Sequence, residues 1–390
     1  MSMDTTTNRR LRLGMVGGGQ GAFIGGVHRI AARIDGDFDL VAGALSSDPE
    51  RSRASAAELR IDPDRAYASY EEMAKAEAAR EDGIDAVTIV TPNHMHHGPA
   101  KAFLEAGIHV ICDKPLTTTS ADALDLVETV ERTGMIFCLT HNYTGYPMVR
   151  QAREMVRNGD LGKIRVIQAE YPQDWMSEKV EDEDNKQAAW RTDPAQSGAG
   201  GSIGDIGTHA CNLACYISGL ELTEINADLS TFVEGRQLDD NAHMMLRFNN
   251  GARGMLWSSQ VAPGNENALM VRIYGEKGGL EWRQEHPNHL HYTPLGEPPR
   301  LITRGGAGAG DAANRVTRTP SGHPEGYLEG FANIYRDAAE AIRARLEGRE
   351  ADLAAMTFPT VEDGLKGVRF IETAVESSRK GSVWVEVPAR

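Results

Sequence analysis

Asp205 and His209 are the two side chains in this sequence best suited to proton transfer. They stand four positions apart, after the glycine-rich run at 198–204. Residues i and i+4 share one face of a helix, so the carboxylate and the imidazole can converge on a single hydroxyl group. The spacing therefore predicts a catalytic pair. A zinc site would need a third ligand that this spacing does not supply, and we expect no metal.

Two further polar segments follow strand-like runs in the first third of the chain, Ala86–Val90 and His109–Cys112. In an open parallel sheet, ligands bind at the carboxyl ends of the strands, which is where these segments begin. A residue that precedes proline is held in an extended backbone, so Lys114 is expected to project from its strand end. The predicted binding residues in the two segments are Thr91, Pro92, Asn93, His96, Asp113 and Lys114.

A glycine-rich turn follows the first predicted strand, Leu11–Val16. Gly17, Gly19 and Ala22 fit the dinucleotide fingerprint Gly-x-Gly-x-x-Ala. Glycine is needed in such a turn because backbone N–H groups approach a pyrophosphate closely, and a side chain would block that approach. We predict that these three residues, with Gln20 and Gly21 between them, bind the phosphates of a dinucleotide.

The end of the second predicted strand is expected to contact the adenosine ribose. Ser46 and Ser47 lie there with Arg51 nearby, and a small hydroxyl beside an arginine tolerates the 2′-phosphate of NADP. Asp48 favours the opposite preference, because a carboxylate can accept a hydrogen bond from the 2′-hydroxyl of NAD. A third interpretation is that Ser46 and Asp48 only cap the next helix. The residues leave the choice between NAD and NADP open.

The elements that must position these side chains fall into two groups. The first third alternates strand-like runs with helical patterns, which is typical of a parallel sheet, and after about residue 140 a succession of strands follows. A chain of 390 residues is also too long for one ordinary core. We expect an α/β Rossmann domain over 1–140 and an α+β domain over 141–390 with a large, mostly antiparallel open sheet. Its strands include Asp228–Phe232, and 305–322 is expected to be a loop or mobile lid.

The composition favours small-molecule chemistry. The chain has 56 acidic and 41 basic side chains, and a net charge of −15 repels nucleic acid and anionic lipid. It contains no run of about 18 apolar residues and no apolar segment typical of a signal peptide. Its four cysteines show neither a CxxC pair nor the spacing of a disulfide framework. We expect a cytoplasmic protein without nucleic-acid or membrane partners.

Together these motifs resemble those of the glucose–fructose oxidoreductase/inositol dehydrogenase (Gfo/Idh/MocA) family, in the same order and over nearly the whole chain. The resemblance implies an NAD(P) cofactor, an active site in the cleft between the domains, and assembly through the open sheet into a homodimer or homotetramer. It also implies catalytic roles for Lys114, Asp205 and His209. Two departures stand out: Asp113 replaces the usual glutamate, and the turn over Gly21–Gly26 is longer than the common form. Asn142 completes the predicted cofactor contacts.

Aromatic and polar residues between 171 and 200 indicate a sugar substrate. Within the family they resemble segments of levoglucosan and glycoside 3-dehydrogenases, which oxidise C3 of glucose-like rings. A tryptophan suits a pyranose because the C–H face of the sugar packs on the indole while its hydroxyls bond to polar neighbours. The alternative is that Trp175 and Trp190 are core residues. The predicted substrate-binding residues are Lys114, Tyr143, Asp174, Trp175, Trp190, Arg191, Asp205 and His209.

The predicted function is NAD(P)-dependent oxidation of a secondary hydroxyl, of the C3 type, in a sugar, glycoside or cyclitol. His209 would accept the proton, Asp205 would support the imidazolium, and Lys114 would stabilise the developing alkoxide. An NAD-dependent glycosidase, which oxidises C3 transiently, eliminates the aglycone and then reduces the ketone, needs the same residues and stays an open alternative. A non-catalytic nucleotide-sensing protein is a second alternative, which the presence of all three side chains disfavours.

Overall fold

The computed structural model of the protein describes residues 9–182 and 185–389. The chain forms two compact units. The first unit contains the described residues up to Thr117, Ala121–Asn142 and Tyr327–Gly364. The second contains Thr118–Ser120, Tyr143–Gly326 and the described residues from Leu365 onward.

A parallel sheet forms the centre of the first unit. Its strands are β1 Leu11–Gly17, β2 Phe38–Ala44, β3 Ala86–Val90, β4 His109–Cys112 and β5 Phe137–Leu139. They lie in the order β2-β1-β3-β4-β5, and each neighbouring pair is parallel. Every residue of β3, β4 and β5 is buried, as expected for short apolar strands covered on both faces. The predicted Rossmann-type domain is confirmed.

Five helices connect or follow these strands: α1 Phe23–Ile34, α2 Pro49–Glu58, α3 Tyr70–Ala78, α4 His97–Glu105 and α5 Ser120–Thr133. Their starts follow local rules. The Asp48 carboxylate caps α2, which has proline at its first position, and the Ser69 hydroxyl accepts a hydrogen bond from Glu72 N–H at the start of α3.

A second sheet of nine strands dominates the other unit. Its strands are β6 Ile164–Pro172, β7 Leu222–Ser230, β8 Asn241–Phe248, β9 Arg253–Ser259, β10 Met270–Gly275, β11 Gly278–Arg283, β12 His289–Pro294, β13 Arg300–Thr303 and β14 Val385–Glu386. They lie in the order β13-β12-β11-β10-β6-β9-β8-β7-β14. Among the described residues, β6 and β9 pair in parallel and the remaining neighbours pair antiparallel. The predicted large, mostly antiparallel sheet is confirmed.

The prediction for β7 was wrong in its bounds. The strand covers Leu222–Ser230 instead of Asp228–Phe232, because Ile225 and Ala227 point into the core in alternation and pair with β8. The backbone of Phe232 instead turns away, with its N–H held by the Asp240 carboxylate at 2.9 Å.

The helices of this unit are α6 Pro147–Arg157, α7 Lys186–Thr192, α8 Pro194–Ser197, α9 Thr208–Ser218 and α10 Asp311–Asn314. Side chains of α6 and α9, such as Val149 and Leu213, share one buried cluster with Ile167 and Leu256 of the sheet. The helices therefore cover one face of the sheet. No helix within the described ranges is both long and apolar enough to cross a membrane.

Helix α11, Tyr327–Glu347, belongs to the first unit, whereas the sequence analysis placed it in the second domain. It packs along α1, and its Tyr335 hydroxyl lies 2.8 Å from both His28 Nδ1 and Thr88 Oγ1. The buried face of α11 joins the cluster that contains Phe38 of β2. The chain therefore returns to the first unit at Tyr327, where α11 completes the core around the parallel sheet. The last helix, α12 Val361–Arg379, follows it.

The predicted lid segment at 305–322 is held by a buried ion pair. Arg304 and Glu325 flank it and lie 3.0 Å apart, with both side chains nearly inaccessible to solvent. Arg304 also donates to the carbonyl oxygens of Thr319, Pro320 and His323. The segment therefore closes on itself as an ordered loop that contains α10.

Candidate functional site

The turn between β1 and α1 contains glycines at positions where a side chain does not fit. Gly17 and Gly21 have φ values of 76° and 77°, in the left-handed region that favours glycine. A Cβ atom on Gly19 would lie 2.7 Å from the carbonyl oxygen of Leu45. Ala22 is the N-cap residue of α1, so the turn leads into a helix N-terminus, which attracts anions. The backbone here has the form that the dinucleotide fingerprint requires.

A cavity of about 380 Å³ lies beside this turn. Four of the predicted phosphate-binding residues line it: Gly19, Gln20, Gly21 and Ala22. Arg29, also in its wall, donates a hydrogen bond to the Gly18 carbonyl oxygen at 2.6 Å, and the Gln20 side-chain amide donates to Glu58 at 3.0 Å. The turn is therefore braced from both sides while its outer surface stays open to a ligand.

The hydrogen bonds at the end of β2 show what its polar residues contact. The Asp48 carboxylate accepts the backbone N–H groups of positions 50 and 51, at 2.8 and 3.3 Å, and so acts as the cap of α2. The hydroxyl of Ser46 accepts the N–H of Asp48 at 3.2 Å, and Ser47 is exposed. Arg51 donates to the carbonyl oxygen of Gln20 at 2.5 Å. Arg51 is thus tied to the glycine-rich turn, while the Asp48 carboxylate is engaged by its helix.

His96 connects the segments that follow β3 and β4. Its ring is fully buried, with Nε2 2.9 Å from the carbonyl oxygen of Thr91 and Nδ1 2.7 Å from that of Pro115. Burial lowers the pKa of His96, against the opposing effect of the nearby Asp113 carboxylate. Both ring nitrogens thus face backbone oxygens, so the imidazole supports the loops themselves. The predicted cofactor contacts of this loop include Pro92 and Asn93 as well as His96, and Asn93 is buried like His96.

Asp113 orients the backbone of Lys114. Its Oδ1 atom accepts the Lys114 N–H and the Thr140 hydroxyl, both at 3.0 Å. The Lys114–Pro115 peptide bond is cis. The neighbouring His141 is buried, and burial together with the positive charge of Lys114 lowers its pKa to about 3. His141 is therefore neutral at physiological pH, and Asn142, which follows it, is also buried.

In the second unit, Asp205 and His209 lie on one continuous helical segment. Ile203–Gly207 forms a π-helical turn that carries Asp205, and α9 follows directly with His209 in its first turn. The prediction of one regular α-helix is corrected here. π-Helical turns are rare and are frequent at functional sites, because the wider turn changes which side chains share a face.

His209 lies in an aromatic corner. Its ring packs edge-to-face against Tyr143 at a centroid distance of 4.9 Å and against Tyr171 at 6.2 Å. The hydroxyls of the two tyrosines are 2.5 Å apart, and the Tyr171 hydroxyl donates to Asn267 Oδ1 at 2.6 Å. Burial raises the pKa of Tyr143, so its phenol stays protonated. The imidazole is therefore fixed between rigid neighbours, as a proton-transferring group requires.

Two side chains, one cationic and one neutral, donate hydrogen bonds to the Asp205 carboxylate. Arg191 Nε and Gln260 Nε2 both donate to its Oδ2 atom, at 3.1 and 2.9 Å. Arg191 is carried by α7, which Asn185 caps through its side-chain oxygen. The orientation of Asp205 thus depends on a helix and a strand end that are distant from it in sequence.

The predicted substrate residues Trp175, Trp190 and Arg191 cluster near Asp205. The guanidinium of Arg191 lies over the Trp190 ring at 4.3 Å and over the Trp175 ring at 5.9 Å. Neither tryptophan is fully buried, so the alternative of simple core residues does not apply. Asp174 accepts the N–H of Gly264 at 3.0 Å and holds the adjacent loop. Indole faces beside charged groups form a surface of the kind that pyranose rings prefer.

Sequence reasoning missed three polar residues of this unit. Asn267 links Tyr171 to Gln173, whose amide donates to its Oδ1 atom at 2.8 Å and whose oxygen accepts the Trp175 indole N–H at 3.1 Å. Gln260 follows β9 and contacts Asp205. Asn267 and Gln260 belong to no motif and lie far in sequence from their partners, whereas Gln173 lies two positions from Trp175. The only local signal for Gln260 was its position at a strand end.

Within the described ranges, no group of three or more His, Cys, Asp or Glu side chains is arranged to hold a metal ion. The first unit can bind a dinucleotide through its glycine-rich turn and strand ends. The second unit offers a carboxylate and an imidazole for proton transfer beside an aromatic and polar surface.

The sequence matches two family models. Residues 11–143 match the oxidoreductase family with the NAD-binding Rossmann fold, and residues 149–281 match the Gfo/Idh/MocA C-terminal domain. The two matches thus include a large part of each unit, and they end at residue 281, before the segment that returns to the first unit at Tyr327.

Several known proteins are similar over nearly their whole length. An oxidoreductase from Sinorhizobium meliloti is 58% identical, with a TM-score of 0.89 and coverage of 97% of this chain and 100% of that one. An inositol dehydrogenase homolog from Azotobacter vinelandii, in complex with NADH and myo-inositol, is 36% identical, with a TM-score of 0.89 and coverages of 97% and 98%. Levoglucosan dehydrogenase from Pseudarthrobacter phenanthrenivorans is 28% identical, with coverages of 97% and 99%. The chain belongs to the Gfo/Idh/MocA family of NAD-binding oxidoreductases.

Proposed function

We propose that the protein oxidises a secondary hydroxyl group of a sugar, glycoside or cyclitol to a ketone, with a nicotinamide dinucleotide as the hydride acceptor. The observation that carries the proposal is that Asp205 and His209 lie on one helical segment, and that Asp205 is bonded to Arg191, whose guanidinium lies over Trp175 and Trp190. Similarity to levoglucosan dehydrogenase and to the inositol dehydrogenase homolog supports a polyhydroxylated ring as substrate.

In this reaction His209 accepts the proton of the substrate hydroxyl as its O–H bond breaks. Asp205, held by Arg191 and Gln260, supports the imidazolium that forms. Lys114 stabilises the negative charge that develops on the same oxygen. The cofactor, when bound, accepts the hydride from the substrate carbon, and a C=O bond replaces the C–O bond. Together these proposed roles account for one oxidation.

The sugar ring is proposed to pack on the Trp190 and Trp175 faces, with hydroxyls bonded to Arg191 and Asp174. Both indoles lie close to one guanidinium, at 4.3 and 5.9 Å, and this combination of aromatic and charged groups suits a ring with an apolar face and polar edges. The proposed preference for C3 rests on the resemblance of the residues between 171 and 200 to segments of levoglucosan and glycoside 3-dehydrogenases.

The cofactor preference is proposed to include NADP as well as NAD. Asp48 is engaged as a helix cap, and Ser46 leaves the strand end without a carboxylate, which removes the usual repulsion of a 2′-phosphate. Arg51 adds a positive charge within the same turn.

The protein is proposed to act as a homodimer or homotetramer that forms through the open face of the nine-stranded sheet. Met245 and Met255 are paired across β8 and β9 on that face and are 53% and 44% exposed. His243 and Trp257 stack beside them, with ring planes only 5° apart. An apolar patch of this kind fits a second copy of the same surface.

The proposed activity is tested by incubating the purified protein with panels of sugars, cyclitols and glycosides, each with NAD and with NADP. Accumulation of the reduced cofactor together with a ketone product is the expected result. Aglycone release from glycosides without accumulation of reduced cofactor would instead show a glycosidase with transient oxidation. Cofactor binding without turnover of any compound would point to nucleotide sensing.

A further inference from the structure

Asp239 holds the start of the segment that carries Asp205 and His209. It precedes β8 and is buried, and its two carboxylate oxygens accept different backbone N–H groups of the glycine-rich turn. Oδ1 accepts the N–H of Gly201 at 2.7 Å, and Oδ2 accepts that of Ile203 at 2.8 Å. The N–H of Ser202, between them, donates to the Asp239 carbonyl oxygen at 2.7 Å. One residue thus binds three consecutive N–H groups.

These N–H groups belong to the first turn of the π-helical segment. N–H groups at a helix start have no acceptor within the helix, and a carboxylate there is favoured by the helix dipole. The Asp205 N–H in turn donates to the Gly201 carbonyl oxygen at 2.9 Å, so the position of Asp205 depends directly on the residue that Asp239 holds. A Cβ atom on Gly201 would collide with the Asp239 carbonyl oxygen, which explains why glycine stands there.

We propose that Asp239 is a positioning residue for the oxidation: it anchors the turn at 201–203 and thereby keeps Asp205 and His209 in the geometry that proton transfer requires. This inference rests on the proposed function. Asp239 itself is buried behind the turn and does not act on the substrate. Its effect is transmitted through the backbone of the segment that bears both proton-handling side chains.

The next residue, Asp240, provides a matched control. It is also buried and also accepts backbone N–H groups, those of Phe232 and Val233, each at 2.9 Å. It lies 3.5 Å from Arg236 in addition. Asp240 therefore holds the turn after β7, whereas Asp239 holds the turn before α9. The two aspartates have similar burial and bonding but different targets.

The experiment compares Asp239→Asn with Asp240→Asn in the full-length protein. Asp239→Asn keeps the size of the side chain but replaces one carboxylate oxygen with an NH2 group. That group cannot accept the backbone N–H that the oxygen bound. We expect kcat to fall by about 10²-fold, since displacements of about 1 Å have effects of that size, while the cofactor Kd changes only a few-fold. Asp240→Asn is expected to lower Tm without a comparable loss of kcat.

Hydrogen exchange gives a measurement that does not depend on activity. Asp239→Asn is expected to accelerate exchange of the amides at Gly201 and Ile203, and Asp240→Asn those at Phe232 and Val233. Gly201→Ala displaces the same turn while leaving the carboxylate in place, and it is expected to lower kcat in the same way. This variant replaces Asp239→Asn in the test if Asp239→Asn does not fold. Unchanged exchange at 201–203 in Asp239→Asn, or accelerated exchange with wild-type kcat, would overturn the proposal.

His209→Ala, measured in parallel, separates this proposal from the proposed function. If His209→Ala is inactive and Asp239→Asn is fully active, the positioning role is wrong and the proposed function stands. If His209→Ala turns over like the wild type, the proposed function itself is wrong, and the positioning role falls with it.

Discussion

At the scale of single residues, the proposed reaction assigns proton transfer to His209 and Asp205 and charge stabilisation to Lys114. His209 is fixed by two tyrosine rings, Asp205 by an arginine and a glutamine, and the backbone of Lys114 by Asp113. The side chains of His209 and Asp205 and the backbone of Lys114 are therefore held by neighbours that have no proposed part in the reaction. Such support is what permits a proton-transferring group to work without reorganisation.

We expect Lys114→Ala and His209→Ala each to lower kcat by at least about 10²-fold while cofactor binding is retained, because each removes a proton-handling or charge-stabilising group. The double variant is expected to be only modestly slower than either single variant, since groups that act as a unit have non-additive effects. Steady-state kinetics and calorimetric titration of the cofactor measure both quantities. His291→Ala, at an exposed position on β12, is the control. Multiplicative losses in the double variant would contradict a shared role.

Trp190→Ala is expected to raise KM for the sugar while the cofactor Kd stays within a few-fold of the wild type. If the contact with the aromatic face contributes about 1–2 kcal/mol of binding free energy, its loss lowers the affinity roughly 5- to 30-fold. Trp384→Ala provides a matched control, because Trp384 also stacks on an arginine, Arg247, at 3.9 Å. A parallel loss of cofactor affinity in Trp190→Ala would assign this segment to cofactor binding or folding.

The pH dependence of stability reports on Asp239. Burial raises its pKa from 3.8 to about 6, although the N–H groups of Ile203 and Gly201 oppose the rise. The folded state therefore keeps a proton that the unfolded chain releases near pH 4, so this residue contributes less stability as the pH rises to about 6. We expect the free energy of unfolding of the wild type, relative to Asp239→Asn, to decrease over that range and to level off above it. Denaturant titrations at several pH values would show no such change if Asp239 were always ionised.

At the scale of elements, the ends of strands decide where ligands can bind. Asp48 and Ser46 follow β2 directly, yet the first caps a helix and the second supports that cap. A carboxylate at a strand end is thus not available to the ribose merely because it lies there. Arg51 instead reaches the glycine-rich turn through the Gln20 carbonyl oxygen, and we propose that this arginine and Ser46 set the cofactor preference.

Ser46→Asp is expected to raise the Kd for NADP by at least about tenfold, because a carboxylate at the end of β2 repels the 2′-phosphate. The Kd for NAD is expected to change little or to fall, since the new carboxylate can accept the 2′-hydroxyl. Isothermal titration calorimetry with both cofactors measures the ratio. Should the wild type bind NAD at micromolar and fail to bind NADP at millimolar concentration, Ser46 and Arg51 do not set the preference.

Local patterns predicted most elements but not the contacts between distant ones. The strands of the Rossmann sheet are short apolar runs bounded by turn residues, so their positions follow from composition alone. The glycine-rich turn was predicted because positive φ values and close backbone approaches demand glycine. The π-helical turn and the partners Gln260 and Asn267 were not, because they depend on tertiary packing. The bounds of β7 failed for a similar reason, since its register is set by β8.

At the scale of the whole molecule, the nine-stranded sheet has helices on one face and exposed apolar side chains on the other. Val166 and Tyr274 are paired across β6 and β10 on this second face and are 40% and 41% exposed. Antiparallel sheets can leave one face in water, but that face is then usually polar. Here exposed apolar side chains stand among charged ones such as Arg272 and Glu170, and exposed apolar groups on a sheet face favour an interface.

We expect the wild type to be a dimer or tetramer, and the double variant Met245→Lys, Met255→Lys to dissociate, because four lysines would meet across a two-fold interface between copies of this face. Sedimentation velocity measures the change in mass. Leu353→Lys, at a residue that is 85% exposed in the first unit, is the control and is expected to leave the assembly intact. A monomeric wild type would exclude this interface.

The return of α11 to the first unit has a consequence for biosynthesis. A nascent chain that has emerged only as far as Asn142 carries all five strands of the Rossmann sheet, but the residues at 327–364 that complete its core have not been translated. The face of α1 that receives α11 is then exposed to water through synthesis of residues Tyr143–Gly326 of the second unit. Chains of this design cannot finish their N-terminal domain first, as multidomain proteins generally do. Truncations that end near residue 142 would accordingly yield an insoluble or chaperone-bound product instead of an isolated nucleotide-binding domain.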